Sequence, residues 1–445
     1  MSRIKKVIKP IIGIIFMCVL FALIWKGLNY ILVDDTSFYT RLAMHEMYED
    51  TDADTVFLGT SHTMFGINPA AFDEKSGADS INLGGVSQPI DLSYLLLQEA
   101  VETHDIKHAY VDLSFHSAMN KLKGTKYITT YIFTDYMKPS LRKDVFLLKN
   151  ADGNKYAISF LPARRFWQNL FDADFLAKMI EAKSSSEYKN YEYISHEGEY
   201  YAGKGFIAGE KYLSDNIGAQ KLETRISVDN IPKEWKQTIK EMIAYCSEHD
   251  VQLTFTAVPV SFCYMSSNGY YETYDSFVQL VNDLIDETGV EYLDFNLARE
   301  EYWNNSNQYF QDYNHLNKDG ANYFSRLLAS YMNGEISYSD LFYDSLEEKK
   351  EYLPAQIYGI GYEIEDSENI KCTILHSGSI AIESSLFDEN GEKYMTDDSE
   401  NSDEFYVPAG YVGKCVLQTV DNDGKAIQYE IELNFNNILE EEQSD

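Results

Sequence analysis

Cysteine is scarce in this chain, with five in 445 residues. So few exclude a dense disulfide framework, and no CxxC or HExxH spacing is present to hold a metal. Neither a metal nor an organic cofactor is expected. Cys18 falls in an apolar N-terminal run, while Cys372 and Cys415 share a C-terminal region and are the candidate pair for a bridge. Bases are also few, 37 Lys and Arg against 71 Asp and Glu, for a formal charge of -34. A nucleic-acid backbone is gripped by clustered cations that release counterions, so nucleic acid is excluded as a partner. Such an acidic chain is also repelled by anionic membrane surfaces and polymer phosphates. Internal repeats and low-complexity tracts are absent. Beyond the first few tens of residues no run is long and apolar enough to span a bilayer.

The first run is long enough. Residues 10–25 are uncharged, and the apolar character continues past Lys26 through Val33. A hydrocarbon core of about 30 Å needs roughly 20 helical residues, which this stretch supplies if Lys26 snorkels to the interface. Arg3, Lys5, Lys6 and Lys9 precede it, and Asp34 and Asp35 follow it. The positive-inside bias then keeps the N-terminus cytoplasmic and places the rest outside the cell membrane, on a single pass. A cleaved leader needs small residues at its cut site, and Trp25, Lys26, Leu28 and Tyr30 do not supply them. The expectation is an uncleaved anchor.

Hydrophobic residues at 44% and aromatics at 14% mark a globular chain, and its length calls for more than one domain. Residues 1–34 read as cytoplasmic tip and anchor. Residues 50–335 alternate short apolar strands with helical spacing: strands at Thr55–Gly59, Ser80–Leu83, His108–Leu113, Val251–Val258 and Glu291–Phe295, and a last helix at Lys318–Met332. That rhythm predicts an α/β fold with a parallel sheet and helices on both faces. A Tyr-rich stretch at about 116–230 interrupts it and reads as an insertion, either shaping a substrate cleft or merely elaborating the fold. Residues 345–437 carry short alternating runs between turn signals such as Asn390-Gly391, and predict a small β-sandwich. Residues 438–445 form an acidic tail.

Two short segments carry chemistry. Gly59-Thr60-Ser61-His62 follows the first strand, where a serine meets substrate at the carboxyl edge of a parallel sheet. Alone, a G-x-S segment after a strand is more often a helix N-cap. Asp312-Tyr313-Asn314-His315 precedes the last helix. A serine hydroxyl needs an imidazole to take its proton, and a carboxylate must hold that imidazole in the right tautomer. Alone, this pair reads as a helix cap and a surface histidine.

Together, roughly 250 residues apart, they resemble the first and last conserved blocks of the SGNH (GDSL-like) hydrolases. The stretch Phe57-Leu58-Gly59-Thr60-Ser61-His62, with Gly66-Ile67-Asn68-Pro69, resembles the membrane-anchored branch. That branch includes the D-alanyl-teichoic-acid protein D and the alginate-type polysaccharide O-acetylation proteins. The resemblance implies a flavodoxin-like sheet, Ser61 as nucleophile and Asp312 with His315 as its base system. Asn82-Leu83-Gly84-Gly85-Val86-Ser87-Gln88 resembles the second block, and implies an oxyanion hole built from backbone amides among Ser61, Gly84, Gly85 and Ser87. The family glycine aligns with Ser87. The third block departs: Leu113-Ser114-Phe115-His116 stands where an asparagine donor is expected, with Ser114 or His116 as candidate substitutes. His62 and His116 are candidate cleft residues.

The resemblance implies acyl transfer to a cell-surface glycan or teichoic acid, with a multispanning membrane-bound O-acyltransferase as partner. Hydrolysis of acyl esters on surface glycan, and a non-catalytic binding module, are the alternative readings.

Overall fold

The computed structural model describes the chain apart from residues 1, 37, 50–51, 119–129, 151–155, 193–197, 214–217, 223–227, 268–269, 306, 354–355, 366–367, 378–380, 396–402, 421–423 and 437–445. The expected acidic tail lies outside the described residues.

A helix runs from Ser2 to Leu32, and its segment Ile8–Leu32 has a mean hydropathy of 2.5. Ile12, Phe16 and Leu23 on it are exposed, so it buries no apolar face within the chain there. It is long and apolar enough to cross a membrane.

Five strands form the central sheet: β1 (Thr55–Gly59), β2 (Ser80–Gly84), β3 (His108–Asp112), β7 (Gln252–Ala257) and β8 (Glu291–Asp294). All pair in parallel, in the order β2-β1-β3-β7-β8. The expected α/β architecture is present. β1 and β2 are buried at every position. TVFLG is accordingly almost wholly apolar. SINLG instead alternates, and its two polar side chains are buried because they are hydrogen-bonded, Ser80 to Asp73 and Asn82 to the Thr63 and Ile67 carbonyls. Helices cover the sheet, among them Ile90–Thr103, Lys233–Glu248 and Lys318–Met332. Trp235, Ile239, Met242 and Cys246 form the buried face of the second of these, at helical spacing.

The chain steps from β1 out to β2 and then back across β1 to β3. β1 is therefore the point where the winding direction reverses, and a crevice opens at the carboxyl end of such a strand. Ser61 lies two residues past the end of β1.

The insertion is tied into both neighbouring parts. Its hairpin, β4 (Glu199–Gly203) and β5 (Phe206–Gly209), docks on the sheet where the Lys204 carbonyl accepts from the Asn82 amide at 2.8 Å. A Cβ on Gly205 would fall 1.7 Å from the Asn82 carbonyl oxygen, so this approach requires glycine. Farther along, β6 (Ala219–Lys221) adds in parallel to β9 (Gln356–Ile364) of the C-terminal region.

Two four-stranded sheets build that region. β6 and β9 join β10 (Asn369–Ser377) and β13 (Glu404–Pro408). Opposite them lie β11 (Glu383–Asp388), β12 (Lys393–Met395), β14 (Val412–Val420) and β15 (Ala426–Asn434). Ile360, Ile370, Ile374, Leu417, Ile431 and Leu433 pack between them. β11 begins at Glu383, and residues 378–380 before it lie outside the described residues. Cys372 and Cys415 are not bridged. They stand on β10 and β14 as buried free thiols, each pushed up to about 12 by burial.

Candidate active site

Thr60 leaves β1 in an extended conformation and caps the helix Ser61–Gly66, its hydroxyl accepting from the His62 amide at 3.3 Å. This turn presents Ser61 half-buried at the crevice. Asn82 of β2 braces the same helix from behind. Its side-chain amide donates to the carbonyls of Thr63 and Ile67, at 2.7 and 2.8 Å.

The second segment is a tight loop. Phe310 and Leu316 bridge its base, and the Gln311 amide donates to the His315 carbonyl at 3.0 Å. Asn317 closes it by capping the helix Lys318–Met332, accepting from the amides of Asp319 and Gly320. Asp312 and His315 are thus held on one wall. The Asp312 carboxylate accepts from the His315 amide at 2.8 Å, and its two oxygens lie 3.1 and 3.0 Å from His315 Nδ1. Nε2 of the same ring lies 2.8 Å from Ser61 Oγ. The fold therefore brings Ser61, His315 and Asp312 together in the sequence carboxylate, imidazole, hydroxyl. Held at Nδ1 by a carboxylate, the neutral ring keeps its proton on Nδ1 and turns a lone pair on Nε2 toward the serine.

Asp312 is half exposed. Burial acts to raise its pKa, but the hydrogen bond and charge of His315, with the amides of Asn314 and His315, outweigh it and hold the carboxyl below its usual value.

A second aspartate was not anticipated. Asp112, the last residue of β3, is fully buried and accepts from the Thr60 hydroxyl at 3.0 Å and the Ser114 amide at 3.0 Å. Desolvation pushes its pKa up to about 6 against these donors. It fastens the residue that caps the helix of Ser61.

The amides expected to form an oxyanion hole separate into two groups. The Gly84 amide donates to Asn82 Oδ1 at 2.8 Å and the Gly85 amide to the Gly59 carbonyl at 2.9 Å. Both are engaged and neither can serve an oxyanion. Close packing explains the two glycines: a Cβ on Gly84 would meet the Met64 nitrogen at 2.7 Å, and one on Gly85 would meet the Phe133 ring at 2.8 Å. The amides of Ser61 and Ser87 have no acceptor among the described residues. Ser87 has φ 47°, in the left-handed region where glycine is the default.

Two further expectations are corrected. Ser114 does not face the crevice as a donor, because its hydroxyl lies 3.3 Å from Asp112 Oδ2 and accepts from the Ser117 amide. His62 does not line the cleft: it is 1% exposed and packs beneath His315, ring centroids 5.4 Å apart. The side chain of His116 lies outside the described residues. The insertion reaches this site. The Leu213 amide donates to the Phe310 carbonyl at 2.7 Å, and Gln311 lies close against Gly209. Among the described residues no three His, Cys, Asp or Glu side chains converge as a metal site requires.

No family model matches the sequence, and no curated protein matches it. Among solved structures, a GDSL-like lipase from Bacteroides thetaiotaomicron aligns with a TM-score of 0.33 and 10% identity, over 68% of this chain and 100% of that one. A protein provisionally described as an acylhydrolase, from Bacteroides fragilis, aligns with a TM-score of 0.33 and 10% identity, over 66% of this chain and 94% of that one. At these scores the likeness carries no argument about activity, and function rests on the geometry around Ser61.

Proposed function

We propose that this chain is a serine-dependent acyl-group enzyme with Ser61 as nucleophile and His315, oriented by Asp312, as general base and acid. One observation carries the reading: His315 Nε2 at 2.8 Å from Ser61 Oγ, with Nδ1 of the same ring held by Asp312. As Ser61 Oγ attacks an acyl carbonyl, its proton passes to Nε2 and a tetrahedral oxyanion forms. The free amides of Ser61 and Ser87 are the donors we assign to that oxyanion. Collapse of the intermediate expels the leaving group, which takes the proton from His315, and leaves an acyl ester on Ser61. A second hydroxyl then gives its proton to His315 and attacks the ester. Ser61 Oγ is expelled and takes that proton back from His315, and the acyl group leaves on the acceptor.

The resemblance to the membrane-anchored branch favours a hydroxyl of a cell-surface polysaccharide or teichoic acid as that acceptor. On this reading the helix Ser2–Leu32 anchors the chain with its N-terminus cytoplasmic, and a multispanning O-acyltransferase delivers the acyl group across the membrane. Hydrolysis is the second reading, and the exposure of Asp312 favours it for the isolated chain, since water has access to the relay.

The test is acyl-group fate. The full chain in detergent is given p-nitrophenyl acetate, with and without a hydroxyl-bearing glycan acceptor. Nitrophenol release that vanishes in Ser61→Ala, with acetyl ester appearing on the glycan, supports transfer. Release that yields acetate alone supports hydrolysis. Release unchanged in Ser61→Ala overturns the reading.

A further inference from the structure

The apolar helix ends against the insertion. The Ala163 amide donates to Asn29 Oδ1 at 2.9 Å, and the Tyr30 hydroxyl donates to the Lys183 carbonyl at 2.8 Å. At this junction lies a cavity of about 450 Å³, lined by Tyr30, Asp35, Arg41, Lys183, Tyr188 and Lys189 among others and by none of Ser61, Asp312 and His315.

Its charges do not cancel. Lys183 Nζ lies 2.7 Å from Asp35 Oδ1 and also donates to the Val33 carbonyl, so this buried pair is spent on itself. Arg41 and Lys189 remain in excess, in a chain that is otherwise strongly acidic. Arg41 is 7% exposed, yet its guanidinium carbon sits 4.0 and 4.4 Å from the ring centroids of Tyr188 and Tyr191. One terminal nitrogen donates to the Tyr188 carbonyl at 3.1 Å. Its buried Nε has no hydrogen-bond partner among the described residues. A buried N–H donor without an acceptor costs about 1–3 kcal/mol, and a cationic one more. A guanidinium held against two tyrosine rings at the wall of a cavity, with its Nε unpaired, is a fork preorganised for a phosphate.

The surroundings point to where that phosphate comes from. Trp167, Phe171 and Ile180 lie on the two insertion segments packed on the apolar helix, Pro162–Phe171 and Ala173–Ser184, and are exposed, Phe171 at 92%. Apolar and aromatic side chains beside the end of a spanning helix are what a membrane interface accommodates.

We propose that the Arg41 cavity is a binding site for a phosphate group, with Arg41 and Lys189 as its cationic ligands, and that a membrane lipid headgroup presents it. The lipid source rests on the membrane reading of the helix Ser2–Leu32, but not on the chemistry of Ser61. Arg41 sits two residues from Tyr39, whose hydroxyl accepts from the Val86 amide next to Ser87, so one short helix joins this cavity to the loop at Ser61.

The full chain in a phosphate-free, uncharged detergent is melted with phosphatidylglycerol, with inorganic phosphate, or with chloride at matched ionic strength. The same series is run on Arg41→Lys and Lys189→Glu. A ligand at ten or more times its Kd raises the melting temperature by roughly 2 °C or more. The expected result is such a rise with phosphatidylglycerol, at least halved in both variants. A rise with inorganic phosphate as well supports the phosphate chemistry and shows that the headgroup is not required. No rise over chloride, or a rise undiminished in the variants, overturns the proposal. Lys189 is an exposed residue, so Lys189→Glu decides the matter even where Arg41→Lys fails to fold.

Discussion

Two aspartates act on Ser61 through one intermediary each, and their surroundings set them apart. Asp312 reaches it through His315, is half exposed, and has its pKa lowered by the imidazole and two amides. Asp112 reaches it through Thr60, is sealed in the core, and has its pKa raised to about 6 by desolvation. The residue type is the same, so environment alone divides them. On the proposed mechanism Asp312 stabilises an imidazolium and has to stay ionised, and the hydrogen bond and charge of His315 with two backbone amides favour that state. A carboxyl that only fastens a turn can tolerate burial.

The sharpest break in this comparison is at the relay itself. Ser61→Ala and His315→Ala are each expected to lower kcat for ester hydrolysis by about 10³-fold or more, and steady-state kinetics on the purified full chain measures it. Asp312→Asn comes next, at about 10²- to 10⁴-fold, because an amide can hold the ring in the wrong tautomer. Asp112→Asn touches no reacting atom and is expected to cost about tenfold or less in kcat. Its main effect is on stability, about 1–3 kcal/mol, since an amide NH₂ cannot accept from both Thr60 and Ser114.

The two variants also differ in how their stability depends on pH. With a raised folded pKa, Asp112 binds its proton more tightly folded than unfolded between about pH 4 and 6, and wild-type stability from this group falls as pH rises through that window. The gap between wild type and Asp112→Asn therefore narrows from pH 4 to pH 7, by up to about 3 kcal/mol. Asp312 has a lowered folded pKa, so its contribution is present above about pH 4 and is lost as pH falls below that. The gap for Asp312→Asn therefore shrinks toward low pH, in the opposite direction. Denaturant melts from pH 7 down to below pH 4 check both slopes, and equal slopes would erase the distinction.

The smallest expected effect is at Ser87. Ser87→Gly relieves a positive φ and keeps the backbone amide, so activity should stay within about twofold while stability rises by about 0.5–1 kcal/mol. Loss of activity would show that the serine side chain matters, and not its amide.

The comparison also marks what the sequence can express. Ser61 and the Asp312–His315 loop were legible because each chemistry-bearing residue follows a recognisable element boundary at the edge of a parallel sheet. Asp112 was not, since DLSF reads only as a departure from an expected asparagine, and burial of a carboxyl is a tertiary fact. Which amide is free near Ser87 depends on hydrogen bonds from Gly84 and Gly85 that no residue type announces. The parallel sheet was legible from short strand runs alternating with helical spacing. The pairing of β6 with β9 was not, because three residues, AQK, carry no periodicity.

The central claim is that Ser61 is an activated nucleophile, and the most direct measurement is intact-mass analysis of the full chain after exposure to a fluorophosphonate. The account predicts one adduct, mapped to Ser61 and absent from both Ser61→Ala and His315→Ala. A folded protein that takes no adduct, or one whose adduct survives in Ser61→Ala, would contradict it.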